Sequence, residues 1–186
     1  MKNYWILQAN PKHYFIVHYF LADYLKTNPE YECWWEVERQ YRDEFQIGDI
    51  AFIYKTSGEP TRASVPKEYN KWRSSQDRNR GDRGIYALGE ITSLARYESL
   101  EPEEQLKKYH IGETWRRAKD FNLKVHFRFT RNLVDCPIIF DKDKPPWRDL
   151  IKISNIFAQR GAGQGKKNFK LIPEEGLMLL NFCNTL

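Results

Sequence analysis

The sequence predicts an α+β domain in which a small, strongly bent sheet or barrel is flanked by helices. Two observations lead to this fold class. Short apolar runs bounded by turn residues recur along the chain, and fewer segments carry a helical period. The 186 residues, 41% of them hydrophobic, suffice for one domain with a buried core, and no linker divides them. We therefore expect a single domain, residues 1–186.

The first half of the chain predicts two strands and a helix. Tyr4–Leu7 is a buried strand that ends before Pro11. Apolar residues at helical spacing predict a helix over Lys12–Lys26, which Asn28-Pro29 ends. Ile50–Tyr54 is an apolar run directly after a Gly-Asp turn, which is typical of a buried strand.

Residues 57–83 have no apolar period and are rich in arginine and lysine. A polar stretch of this length inside one domain is uncommon, and such stretches tend to be functional. We interpret residues 57–83 as a long polar insertion in the domain.

The second half predicts further strands and a terminal helix. Gly84–Ile91 is the partner of the preceding strand, and Leu123–Phe129 alternates between apolar and polar residues, which indicates a half-exposed strand. Ile138–Phe140 is a short apolar run, and Phe169–Leu171 is a last short strand. A last helix begins at Pro173, where proline and acidic residues suit the first turn.

Composition excludes several classes of protein. No run of eighteen apolar residues is present, so we expect no membrane partner, and the absence of a signal-like start predicts a cytoplasmic protein. The three cysteines are isolated and the four histidines lack a ligand spacing, which predicts reduced thiols, no metal and no cofactor.

Signatures of nucleophilic hydrolases, phosphate-binding loops and kinases are also absent. We therefore predict that the protein is not an enzyme. The alternative is a small nuclease or base-modifying enzyme that uses Asp49, Glu90 and Lys55. Turn and surface charges explain these three residues more simply.

Aromatic content is the unusual feature, at 15% with six tryptophans. Trp5 lies in an apolar strand and is assigned to the core. Trp34 and Trp35 lie beside a polar segment, and Trp115 precedes two arginines. Tryptophan interleaved with basic residues is typical of surfaces that stack bases between held phosphates.

Positive charge is concentrated near the C-terminus. The net charge is +5, and the stretch from 152 to 170 contains five basic residues and no acidic one. Glycines interrupt its basic residues in the loop 160–167, so backbone amides and cations can together hold a phosphate. The predicted phosphate contacts are Arg160, Lys166, Lys167, Arg116 and Arg117.

The order of motifs resembles the EVE domains, which belong with YTH and ASCH domains in the PUA-like class. The matching segments are Tyr4–Pro11, Cys33–Val37, Gly48–Tyr54, Gly84–Ile91 and, after Arg160, Lys170–Glu175. The opening segment also aligns with the YTH pattern Phe-Phe-Leu-Ile-Lys-Ser-Asn. The resemblance implies a PUA-like bent sheet or small β-barrel, and it does not cover residues 57–83 and 95–120.

The resemblance further implies a pocket that accepts one flipped, often methylated, base in an aromatic cage. The cage residues would be Trp34, Trp35 and Trp115. Contacts to the edge of the base would come from Gln8, Ala9 and Asn10, where Gln8-Ala9 replaces the Lys-Ser of the family pattern. We therefore expect a binding module for nucleic acid with a modified base, for which 6-methyladenine and 5-methylcytosine are candidates.

DNA is favoured over RNA, because the insertion and the basic loops suit a duplex. EVE-like domains also occur as the N-terminal module of McrB-type restriction proteins that depend on methylation. The resemblance thus implies the recognition module of a modification-dependent restriction system, with a fused or associated AAA+ GTPase or nuclease as a partner. A reader of modified RNA is the alternative within the same class.

Overall fold

The structure, a computed structural model, describes residues 2–9, 16–56, 83–101, 103–107, 109–110, 116, 119–139 and 168–186. Almost all of the insertion predicted at 57–83 lies outside these residues. So do Asn10, Trp115, Arg117, Arg160, Lys166 and Lys167 among the predicted site residues. No helix among the described residues is long and apolar enough to cross a membrane.

Eight strands and several short helices make up the described part of the chain. The strands are β1 Tyr4–Ala9, β2 Glu32–Glu36, β3 Ile50–Lys55, β4 Gly84–Ile91, β5 Arg96–Glu98, β6 Asn122–Asn132, β7 Ile138–Ile139 and β8 Asn168–Leu171. A π-helical segment, Ile16–Tyr24, runs into one α-helical turn, α1 Leu25–Thr27, and the later helices are α2 Glu104–Lys107 and α3 Pro173–Thr185. A 3₁₀ turn, Arg39–Tyr41, follows β2.

The strands form one curled mixed sheet with the order β2-β6-β4-β3-β1-β8, to which β5 adds on β6 and β7 on β4. Only the β1–β3 pair of this sheet is parallel, and the chain between those two strands contains the first helix. The sheet curls into a half-barrel, and its open side is the one between the edge strands β2 and β8, which no ladder of the described residues joins. The predicted bent sheet flanked by helices is confirmed.

The two faces of the sheet carry separate apolar clusters. The inner cluster lies on the concave face and includes Trp5, Leu7, Ala51, Val125 and Phe127. The outer cluster lies under α3. It combines strand residues such as Ile6, Phe52, Leu88 and Phe169 with Leu179 of the helix. The alternation of side chains along a strand assigns neighbouring residues to opposite clusters.

Helix α3 packs closely on β1. A Cβ atom added at Gly176 would lie 2.0 Å from Cγ of Tyr4, so only glycine fits at this crossing. The helix begins as the sequence predicts, with Pro173 first and two acidic residues in its first turn.

Two strands were not predicted, β2 and β5. Both are short and rich in charged residues, and both pair with β6. The predicted alternation along β6 holds at most positions. Lys124 is the exception, because this residue of the outer face is fully buried.

Candidate nucleic-acid interface

Trp34 and Trp35 lie on β2, an edge strand of the sheet. In the antiparallel pair with β6, Trp34 lies opposite His126 and Trp35 lies opposite Val125. Successive side chains of a strand point to opposite faces. The two tryptophans therefore lie on opposite faces of the sheet, and at most one of them can line a given pocket.

Trp35 is on the inner face. Its ring packs edge-to-face on Phe127, with centroids 6.0 Å apart and an interplanar angle of 64°. The side chain is half-buried and packs against the inner cluster. The ring is therefore partly exposed, and Phe127 holds it in place.

Trp34 is on the outer face, among charged residues. The ammonium of Lys124 lies 5.4 Å from the centroid of its ring, within the range of a cation–π contact. Glu32 and Glu36 occupy the same face of β2 on either side of it. Carboxylates on both sides repel phosphate, so this face is poorly suited to a nucleic-acid backbone.

His126 lies between two carboxylates on the same outer face. Its Nε2 atom is 2.5 Å from Oε1 of Glu98, and its Nδ1 atom is 3.6 Å from Oε1 of Glu32. Burial raises the pKa of Glu98, but hydrogen bonds from His126 and Arg96 outweigh this effect and leave the pKa below its ordinary value. The Glu98 carboxylate is therefore held in its charged form.

A side chain of β8 bridges the two edge strands, β2 and β8, and we call the boundary between these strands the seam. The backbone N–H of Glu38, just after β2, donates to Oδ1 of Asn168 over 2.9 Å. Asn168 is fully buried and lies opposite Leu7, a member of the inner cluster, so its side chain points to the inner face. Its Nδ2 atom has no hydrogen-bond partner among the described residues.

A buried donor that lacks a partner is costly, and such groups call for a specific explanation. The Asn168 Nδ2 atom is such a donor, enclosed between the edge strands β2 and β8. Sequence reasoning missed Asn168. The available signal was an amide directly before the alternating run Phe169-Lys170-Leu171.

The predicted base-edge residues lie on β1. Ala9 is buried on the inner face, and Gln8 is buried on the outer face, where it lies opposite Tyr54. Ala9 and Gln8 thus cannot contact the same ligand from one face of the sheet. Asn10 lies outside the described residues.

Of the five predicted phosphate contacts, the structure describes Arg116, which is exposed. The other four predicted contacts, and the third cage residue Trp115, lie outside the described part of the chain. Their roles therefore stay predictions.

The carboxylate of Asp49 is committed to structural hydrogen bonds. It is buried and accepts hydrogen bonds from Nε1 of Trp5 at 2.9 Å, from the backbone and side-chain amides of Asn3, and from the backbone N–H of Gln46. Lys55 lies six residues further along β3, a distance of about 20 Å for an extended strand. Asp49 and Lys55 of the nuclease alternative therefore lie at opposite ends of β3, and Glu90, opposite Ile50, lies at the Asp49 end.

The cysteines are free thiols in different environments. Burial raises the pKa of Cys33 and of Cys183 to about 12, whereas Cys136 is exposed. The described residues contain no group of three His, Cys, Asp or Glu side chains that could hold a metal ion.

Solved structures share the arrangement of strands and helices described above. Human THYN1 protein, in a crystal structure with DNA containing 5-methylcytosine, is 15% identical with a TM-score of 0.52, and 97% of each chain is covered. The fold is PUA-like. A hypothetical protein from Leishmania major is also 15% identical, with a TM-score of 0.53 over 100% of this chain and 96% of its own. No protein-family model and no curated protein matches the chain.

Proposed function

We propose that the protein binds nucleic acid carrying a modified base, DNA in preference to RNA, and flips that base into the open side of the half-barrel. Trp35 on the inner face is the observation that carries this proposal, because it places an accessible aromatic ring beside the seam. The fold is shared with a THYN1 structure that holds DNA with 5-methylcytosine, which supports a methylated base as the ligand.

Trp35 is the better of the two neighbouring tryptophans for the cage. Its ring faces the concave side, where a flipped base is removed from water, and Phe127 fixes its orientation. Trp34 faces the charged outer surface, and Lys124 already lies over its ring. In this proposal Trp115 remains the candidate for the second wall of the cage.

Stacking on the cage is worth about 1–3 kcal/mol per base, which offsets most of the few kcal/mol that unstacking costs. A buried methyl group adds about 0.8 kcal/mol, or roughly a fourfold preference. Stronger discrimination needs a polar contact to the edge of the base.

The test compares Trp35→Ala with Trp34→Ala, its neighbour on the opposite face. Fluorescence anisotropy would measure the affinity for duplexes with a single 5-methylcytosine, 6-methyladenine or unmodified base. We expect Trp35→Ala to weaken binding of the modified duplex by about tenfold or more, whereas Trp34→Ala leaves it within about twofold. Equal loss in both variants, or no loss in Trp35→Ala, would contradict the proposal.

Base flipping has a signature of its own in the same assay. A mispaired target base costs less to unstack, so a duplex with a mismatch at the modified position should bind several-fold more tightly than the matched duplex. Equal affinity for the two duplexes would argue against flipping.

The same proposal includes no catalysis by this chain. It assigns the protein to a modification-dependent restriction system as the recognition module, with a fused or associated AAA+ GTPase or nuclease. Incubation of methylated and unmodified duplexes with the protein, with and without Mg²⁺, should leave both substrates intact. Cleavage or base conversion by the purified chain would overturn this assignment.

A further inference from the structure

An exposed aromatic stack lies where β5 and β6 meet. Phe121, directly before β6, is 70% exposed, and its ring stacks on Tyr97 of β5 with centroids 5.7 Å apart and an interplanar angle of 28°. The Arg42 guanidinium lies 6.0 Å from the centroid of the Tyr97 ring. We call Arg42, Tyr97 and Phe121 the Phe121 stack.

The backbone around Phe121 is fixed from both sides. The ammonium of Lys124 donates to the carbonyl oxygen of Asp120 at 2.7 Å and to that of Glu98 at 2.6 Å. The hydroxyl of Ser99 donates to the carbonyl oxygen of Lys119. These bonds hold the segment before β6 against the end of β5. A large apolar ring is therefore kept in solvent by a well-bonded segment.

Burying the ammonium of Lys124 in this segment costs free energy. Lys124 is fully buried, and burial lowers its pKa despite the carboxylates nearby. Two carbonyl oxygens partly replace the water it has lost. A ring presented on such a support is preorganised to receive a planar ligand, since little of its own freedom is lost on binding.

The surroundings of the stack favour a base with its phosphate. Arg42 and Lys119 are exposed beside the stack, since the Arg42 guanidinium lies over the Tyr97 ring and Lys119 is two residues before Phe121. Arg42 makes a long ion pair with Asp43, and Lys119 pairs with Glu101. Exposed ion pairs contribute little, so phosphates can replace these two carboxylates. Aromatic rings stack bases of any sequence, and cations nearby hold the backbone.

We propose that the Phe121 stack binds an unpaired base of the nucleic acid, outside the cage. This proposal deepens the proposed function and rests on it for the class of ligand. Along β6, Phe121 is four residues from Val125, the partner of Trp35, which is about 13 Å in an extended strand. Tyr97 and Trp35 both pack on the inner cluster. A base on Phe121 would therefore flank the base at Trp35 and not replace it.

The test uses the full chain and a fluorescein-labelled single-stranded oligonucleotide without modified bases, together with the modified duplex. Phe121→Ala removes the ring, whereas Phe121→Trp keeps a stacking surface and serves as the matched control. Because Phe121 is mostly exposed, thermal unfolding should show both variants to be as stable as the wild type. We expect Phe121→Ala to weaken binding of the single strand by about tenfold and Phe121→Trp to retain it.

The outcomes separate this proposal from the proposed function. In Phe121→Ala the ratio of affinities for modified and unmodified duplex should stay unchanged, because the cage is intact. Unchanged single-strand affinity in Phe121→Ala, or no single-strand binding by the wild type, would overturn the Phe121 stack while the duplex results stand. Weakened binding in Phe121→Ala without any preference for a modified base would support the stack and overturn the cage.

Discussion

Replacing Asp49 with alanine removes one carboxylate that accepts hydrogen bonds from Asn3, Trp5 and Gln46. The Trp5 indole N–H is fully buried and has no access to water, so leaving it unpaired costs about 1–3 kcal/mol. The backbone and side-chain donors of Asn3 and Gln46 are only partly buried and can turn to solvent. Loss of their bonds to a charged acceptor brings the expected destabilisation to about 3 kcal/mol in total.

Urea unfolding measures this free energy. For a slope of about 2 kcal/mol per molar urea, the midpoint should fall by about 1.5 M, and the melting temperature by about 6–12 °C. Asp43→Ala is the matched control, because the Asp43 side chain is 95% exposed and makes a single long ion pair with Arg42. The control variant should unfold within about 0.5 kcal/mol of the wild type.

A double-mutant cycle isolates the bond between the indole and the carboxylate. Trp5→Phe removes the N–H, so Asp49→Ala should cost about 1.5 kcal/mol less in that background than in the wild type. A cost below 1 kcal/mol for Asp49→Ala alone, or an unchanged cost in the Trp5→Phe background, would refute the structural role of this carboxylate.

Three further predictions concern packing, pH and thiol reactivity. Gly176→Ala should destabilise the protein by about 2 kcal/mol or more in urea unfolding, because the new methyl group would overlap Tyr4. The pKa of Glu98 is lower in the folded state, so its carboxylate stabilises the fold at neutral pH and loses that effect as the pH falls below about 4.5. Glu98→Gln has no carboxylate to protonate, so it should flatten the decline of stability measured between pH 6 and pH 3. Cys136 alone should react rapidly with a thiol reagent at pH 8, because burial raises the pKa of Cys33 and Cys183 to about 12. Fast labelling of all three thiols in the native protein would contradict this prediction.

Much of the sheet could be predicted from local pattern. The runs that became β1, β3 and β4 are apolar and bounded by turn residues, and the alternation along β6 marks a strand with one buried face. Gly48 before β3 adopts φ of 89°, a backbone conformation that favours glycine and makes its turn recognisable. Such signals arise within a few residues, so they can be recognised without knowing which strands pair.

The strands β2 and β5 could not be predicted in the same way. Their residues are largely charged or half-exposed, and they become strands because β6 offers unpaired backbone groups on both of its sides. The burial of Lys124 has the same origin, because the carbonyl oxygens that receive its ammonium come from Glu98 and Asp120. Pairing between segments far apart in the chain determines both strands and the burial of Lys124, and this pairing cannot be inferred from composition.

The sequence by itself determined the fold class, the central strands, the terminal helix and the core position of Trp5, because periodicity and turn residues report local structure directly. It also marked Trp34 and Trp35 as an unusual pair, but it could not separate their roles. Only the tertiary structure decided that separation: the pleat of β2 turns Trp35 to the inner face and Trp34 to the outer face. The same structure brought Asn168 to the seam and fixed Phe121 in solvent, since both positions depend on contacts between segments far apart in the chain.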